Sequence, residues 1–157
     1  MKIYIGTDHA GYELKEKLKI YLSELGYEVV DKGAFKYDTN DDYPDFIKPV
    51  AEAVALDTGS FGIIGGASGQ GEAMCANRVK GARAALFYGT TQVNQTDMSG
   101  NILDMIASTR MHNNANILSL GFRFLSEEEV KNAIKIFLET KFENEERHLR
   151  RVKKLDK

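Results

Sequence analysis

Residues 61–72 read Phe61-Gly62-Ile63-Ile64-Gly65-Gly66-Ala67-Ser68-Gly69-Gln70-Gly71-Glu72. Phe61 to Ile64 is a short apolar run, the glycines and Ser68 form a turn, and a helix-like stretch, Ala73 to Val79, follows. A strand, a glycine-rich turn and a helix start together make an anion cradle: unpaired N–H groups point outward and the helix dipole favours negative charge. A plain strand–helix connection needs only one or two glycines, so this turn exceeds the structural need. It is not a Walker A loop, since no Gly-Lys-Ser/Thr follows, and Gly66-x-x-Gly69-x-Gly71 is not the dinucleotide order. Glu72 alone reads as a first-turn helix acid. Beside a cradle it also reads as a base, one that takes a proton from a carbon whose neighbouring oxygen then becomes the anion.

Outward from this stretch, short apolar runs alternate with helical patterns. Ile3 to Ile5, Tyr27 to Val30, Phe61 to Ile64, Ala82 to Phe87 and Ile117 to Leu120 are strand candidates. Leu14, Leu18, Tyr21, Leu22 and Leu25 follow helical spacing up to the stop at Gly26, and Phe46, Ile47, Val50, Ala51 and Val54 match another helix face. Ser126 with Glu129 forms a capping box before Val130, Ile134 and Phe137, and a last helix from about Glu143 is dense in Arg and Lys. Five strands separated by helices predict an α/β fold, a five-stranded parallel sheet with helices on both faces. The 157 residues suit one domain over 1–157. Ligands of such sheets bind beyond the carboxyl ends of the strands. That rule gathers Thr7 to Gly11, the loop from Asp31, the Gly65–Gly71 turn and the segment after Phe87.

The formal net charge of −2 gives no global basic field for nucleic acid. The lone Cys75 excludes an intrachain disulfide and fits a reducing compartment. Met1 to Gly6 does not read as a signal peptide, and no run approaches a membrane span, so a cytoplasmic protein is expected. No His-x-x-x-His pair or cysteine set exists and the histidines are scattered, so a metal-free mechanism without cofactor is expected.

Several further residues carry chemistry, each beside a plainer role. Asp8 and His9 end the first strand and suit hydrogen bonding to a polyhydroxylated or phosphorylated ligand, while Asp8 also suits an N-cap. His112, followed by Asn113 and Asn114 and heading toward the sheet rim, suits a general acid, although a lone histidine is more often structural. Arg147 and Arg151, four apart, share a helix face that can clamp a phosphate or simply be solvated. Cys75, a turn into a helix among Met74 and Ala76, reads as a small buried hydrophobe rather than a nucleophile.

Taken in order, the motifs resemble the sugar-phosphate isomerases that include type B ribose-5-phosphate isomerase and the galactose-6-phosphate isomerase subunits. The motifs are Gly6 to Tyr12, Asp41-Asp42-Tyr43-Pro44, Gly65 to Asn77, Gly81 to Leu86, His112 to Asn116 and Arg147-His148-x-x-Arg151. The resemblance implies a Rossmann-like α/β/α sandwich and a homodimer or dimer of dimers with active sites between subunits. It implies that Asp8 and His9 contact a phosphorylated sugar, and that Ala67, Ser68, Gly69, Gln70 and Gly71 bind it through backbone N–H groups and the serine. It further implies that His112 opens the sugar ring, Asn113 contacts the sugar, and Arg123, Arg147 and Arg151 hold the phosphate. Many members carry a cysteine base where this chain has Gly66. A subgroup typified by mycobacterial enzymes uses a glutamate instead, and Gly65 to Glu72 looks like that subgroup, with Glu72 as base.

Between Leu86 and His112 the chain is longer than is typical of that family by roughly a dozen residues. The extra material, near Val93 to Asp104, could be a lid, an oligomer contact or a longer helix start. It leaves open a tetrose or hexose phosphate as substrate. A non-catalytic sugar-phosphate or nucleotide binding module and one subunit of a hetero-oligomer are the other readings.

Overall fold

The computed structural model describes residues 1–91, 93–98 and 100–156. β1 (Lys2–Thr7) leads through a 3₁₀ turn (His9–Gly11) into α1 (Tyr12–Glu24) and β2 (Glu28–Asp31). Then follow α2 (Pro44–Leu56), β3 (Phe61–Gly66), α3 (Gln70–Ala76), β4 (Ala84–Phe87), α4 (Met105–Asn113), β5 (Ile117–Gly121), α5 (Glu127–Glu139) and α6 (Glu146–Leu155). All five expected strands form, and every pairing is parallel, in the order β2-β1-β3-β5-β4.

Alternation along the strands fills both faces of the sheet, because successive side chains point to opposite sides. Ile3, Ile5 and Ile63 join Leu18, Leu22, Ile134 and Phe137 on the side of α1 and α5. Tyr4 and Ile64 join Ile47, Val50 and Val54 on the side of α2. Each fully buried Leu or Ile contributes about 1.5–3 kcal/mol. The capping box is present as read: the Ser126 side chain accepts from Glu129 N–H, and the Glu129 carboxylate accepts from Ser126 N–H.

Several boundaries differ from the sequence expectation: β2 is Glu28–Asp31 rather than Tyr27 to Val30, and β4 starts at Ala84 rather than Ala82. α3 begins at Gln70 and ends at Ala76, so Glu72 lies inside its first turn and Val79 outside the helix. α6 begins at Glu146 rather than Glu143. α4 carries no clear apolar period, yet it forms, capped by the Asp104 side chain on the N–H groups of Ile106 and Ala107. The extra segment before it folds into a short antiparallel turn, with Thr96 bridged to Ile102 and Leu103 N–H donating to Gln95 O. Ser99, inside that segment, lies outside the described residues. Among the described residues no helix is long and apolar enough to cross a membrane.

Candidate active site

The connections leave β1 for β2 on one side and reach β3 on the other, so the chain changes direction between β1 and β3. Ligands bind at such a switch, beyond the carboxyl ends. Register places Thr7 beside Gly65, so the residues that follow, Asp8 and Gly66, flank the crevice. Asp8 is buried and accepts from Ala10 N–H at 3.0 Å. It therefore caps the 3₁₀ turn and also stands at the rim, so its two expected roles coexist. Glu72 is 5% exposed, unusual for a first-turn glutamate. A Cβ at Gly66 would overlap Glu72 Oε1 and would lie 3.5 Å from Asp8 Oδ1. The Glu72 carboxylate thus fills the room that a side chain at 66 would take, and two carboxyl groups share one small space. Burial, and then the charge of Asp8, push the Glu72 pKa above the usual carboxylate value. Burial also raises that of Asp8, against its bond to Ala10 N–H.

The turn after β3 is anchored by its carbonyls. Gly66 O accepts from Phe122 N–H at 2.9 Å, Ala67 O from Arg123 N–H at 3.1 Å, and Gly69 O from the buried Ser119 hydroxyl at 2.6 Å. A trans peptide sets its N–H opposite its C=O. With these three carbonyls fixed toward β5 and the residues after it, the N–H groups of Ala67, Ser68 and Gln70 are turned the other way. Gly69 has φ +73°, a conformation L side chains rarely adopt, and this lets the turn close onto Leu120. Gly71, in the first turn of α3, lies against the Tyr43 ring, whose hydroxyl is 2.9 Å from where a Cβ would stand.

His9 is held by Asp41 twice: Asp41 Oδ1 accepts from His9 N–H at 3.1 Å and lies 2.6 Å from His9 Nδ1. The Asp41 hydrogen bond raises the His9 pKa, so the ring keeps its proton to higher pH. Arg123 shares a cleft of about 450 Å³ with His9, Lys17 and Tyr37. A cationic His9 beside Arg123 suits a phosphate. Asp41 and Tyr43 were read only as parts of a motif; their site positions depend on the long loop before α2 folding back over the rim.

The other expected residues lie elsewhere. His112 and Asn113 end α4, close to Asn116, which binds Arg83 ahead of β4 and accepts from Gly62 N–H at the start of β3. That is the amino end of the sheet. Gly62 and Gly66 are four strand residues apart, roughly 13 Å at ~3.3 Å per residue. His112 therefore reaches a rim, but the one opposite to Glu72. Asn113 lines a cavity of about 560 Å³ with Arg78, Arg83 and Thr109, and none of Asp8, His9, Glu72 and Arg123 borders it. Arg147 and Arg151 lie on α6, which packs on α4; Arg147 pairs with Glu145 at 2.7 Å. The histidines are less scattered than their spacing suggests: His148 stacks on His112 with ring centroids 4.7 Å apart. Two trios, His112/Glu143/His148 and Asp8/His9/Asp41, bring potential ligand atoms within 4.8 Å, so the reading that no such cluster exists is corrected. Cys75 is half-buried against the α2-side core, and burial pushes its thiol pKa up, which makes it a poor nucleophile.

A buried glutamate of raised pKa beside an N–H cradle at a switch point has the chemistry of a general base. Residues 3–155 match the family model described as Ribose/Galactose Isomerase. The chain belongs to that family. It is 38% identical over 152 residues to ribose-5-phosphate isomerase B of Mycobacterium tuberculosis, covering 97% of this chain and 86% of that one. Among solved structures, ribose-5-phosphate isomerase B of Mycoplasma genitalium with bound ribulose-5-phosphate superposes with a TM-score of 0.84 at 36% identity, covering 99% of this chain and 93% of that one. Ribose 5-phosphate isomerase of Thermotoga maritima gives 0.83 at 39% identity, covering 99% and 97%. The protein is an aldose–ketose isomerase with the Rossmann-like fold of these relatives.

Proposed function

We propose that the chain interconverts ribose 5-phosphate and ribulose 5-phosphate through a cis-enediolate, without a metal, with Glu72 as the base. The burial of Glu72 against Gly66 and Asp8 carries this reading. A free glutamate, near pKa 4.3, is a weak base toward a carbon acid; desolvation makes it stronger. Glu72 takes the proton from C2 of the open-chain aldose and returns it to C1. The oxygen that gains charge faces the N–H groups of Ala67, Ser68 and Gln70, as an oxyanion hole requires. Asp8 contacts the sugar hydroxyls, and His9 with Arg123 receives the phosphate. His112 opens the furanose ring, Asn113 contacts the sugar, and Arg147 and Arg151 complete the phosphate clamp.

Those last residues lie at the other end of this chain, so the proposed working unit is a homodimer, alone or as a dimer of dimers. Each site then combines the Glu72 rim of one copy with the His112 half of the other. The free Cys75 accords with a reducing, cytoplasmic setting.

Glu72→Gln keeps the shape and removes the base. Turnover of ribose 5-phosphate should fall by about 10²–10⁴-fold, with loss of solvent-deuterium uptake into product. Near-normal turnover in the presence of chelator sinks the assignment of Glu72. A panel that adds tetrose and hexose phosphates tests the choice of sugar; a better substrate among them replaces the ribose reading.

A further inference from the structure

His148 does something that simple packing does not explain. It is 3% exposed, and neither of its ring nitrogens has a hydrogen-bond partner among the described residues. Unpaired buried polar atoms are costly, and a phenylalanine or leucine would fill the space without that cost. What His148 presents is a face. Its ring lies parallel to His112, 8° between planes and 4.7 Å between centroids. His112 is held by little else. The Glu143 carboxylate stands 3.8 Å from His112 Nε2, beyond hydrogen-bond reach. An imidazole that trades protons with a sugar needs its nitrogens free, so its plane must be fixed through its face.

We propose that His148 is a positioning residue for His112, fixing the plane of the ring-opening imidazole by face-to-face stacking while leaving both its nitrogens to the sugar. This rests on the role given to His112 above. The charges around the pair fit. Burial, then Arg147 and His112, lower the pKa of His148, while Glu145 and Glu143, 3.8 and 4.0 Å from its Nε2, oppose them. A neutral His148 stacks without adding a second positive charge. The same trio of His112, Glu143 and His148 does not form a good metal centre. Lone pairs in two parallel, stacked rings run side by side and do not converge on one ion.

The test separates ring opening from proton transfer. Ribose 5-phosphate is a closed furanose, whereas ribulose 5-phosphate, its C5 hydroxyl esterified, cannot close one. His148→Leu keeps the bulk and removes the ring; His148→Phe keeps the ring and removes the nitrogens. His148→Leu should slow conversion of ribose 5-phosphate by at least about tenfold through kcat, with KM little changed. Its deuterium uptake at C1 of ribulose 5-phosphate should stay within about twofold of the parent. His148→Phe should restore kcat on ribose 5-phosphate and leave the deuterium uptake at the parent's level. Equal losses on the two substrates, no loss on either, or no rescue by phenylalanine overturns the proposal. Retention of deuterium uptake by Glu72→Gln overturns instead the assignment of the base.

Discussion

Gly66 and Glu72 exclude each other's alternatives. A methyl group at 66 meets the Glu72 carboxylate, so Gly66→Ala should displace the base while leaving the sheet intact. Misplacing a reacting group by about 1 Å costs about 10²-fold, so kcat should drop by that order with little change in thermal melting; a variant of normal kcat contradicts the geometry. The sign of the pH dependence follows from the raised Glu72 pKa. With Glu72 as the proposed base, its active, ionised form is lost as pH falls through that raised value, so the acid limb of kcat/KM should lie above the usual glutamate range. The neutral form is the one the fold favours, and its stabilisation is complete below the unfolded-state pKa and lost as pH rises through the folded one. Ionising Glu72, as the proposed role requires, thus comes at the expense of stability. Sequence reading found Gly66 as an absence and Glu72 as a candidate. It did not find that one makes room for the other, because that depends on how the first turn of α3 folds back over β3.

Elements were legible where apolar side chains set the period and hidden where a cation takes a core position. The two buried residues of α4 are Ile106 and Arg110. Arg110 donates to the carbonyls of Thr140 and Ala115 and to Asn114 Oδ1, and its guanidinium lies 4.6 Å from the Phe61 ring centroid. A charged residue in that slot breaks the pattern from which a helix is read. It also ties down the turn that carries His112 and Asn113. Lys15 also takes a core position, in α1, although the leucines around it keep that helix legible. It is fully buried, 2.7 Å from Asp31 at the end of β2 and 2.5 Å from Glu16. Burial alone would raise the Asp31 pKa, but Lys15 and Lys19 outweigh it and hold the carboxyl low. Lys15→Ala removes one of two lysines from Asp31 and empties a core position; since Lys19 still pairs with the carboxylate at 2.7 Å, the loss should stay below the roughly 3–5 kcal/mol of a wholly unpaired buried charge. Lys15→Met, which keeps the bulk, should lose less, and Lys15→Met combined with Asp31→Asn should recover part of that loss. Denaturant melts check this, and additive losses would show that the pair is not coupled.

For the whole molecule, the number of strands and the parallel sense of the sheet were readable because each strand is a short apolar run between helical stretches; the order β2-β1-β3-β5-β4 came only with the structure. The placement of His112 was not readable from its residues, since rim and amino end differ only in three dimensions: His112 follows Glu72 in sequence but sits at the far end of β3 and β5. If two copies complete each site, inactive variants should rescue each other. Glu72→Gln and His112→Ala, mixed after exchange of subunits, should yield heterodimers in which one site carries both lesions and the other neither. Random pairing makes about half of all dimers mixed, so activity should approach about a quarter of the parent's; a mixture no better than its parts would argue for sites within single chains. The separation of Glu72 from His112 also has a kinetic meaning. On the proposed dimer, far below its dissociation constant, active sites would form by collision and the rate would grow with the square of chain concentration. An isolated chain then has no turnover number of its own, and the enzyme assay becomes a measurement of association.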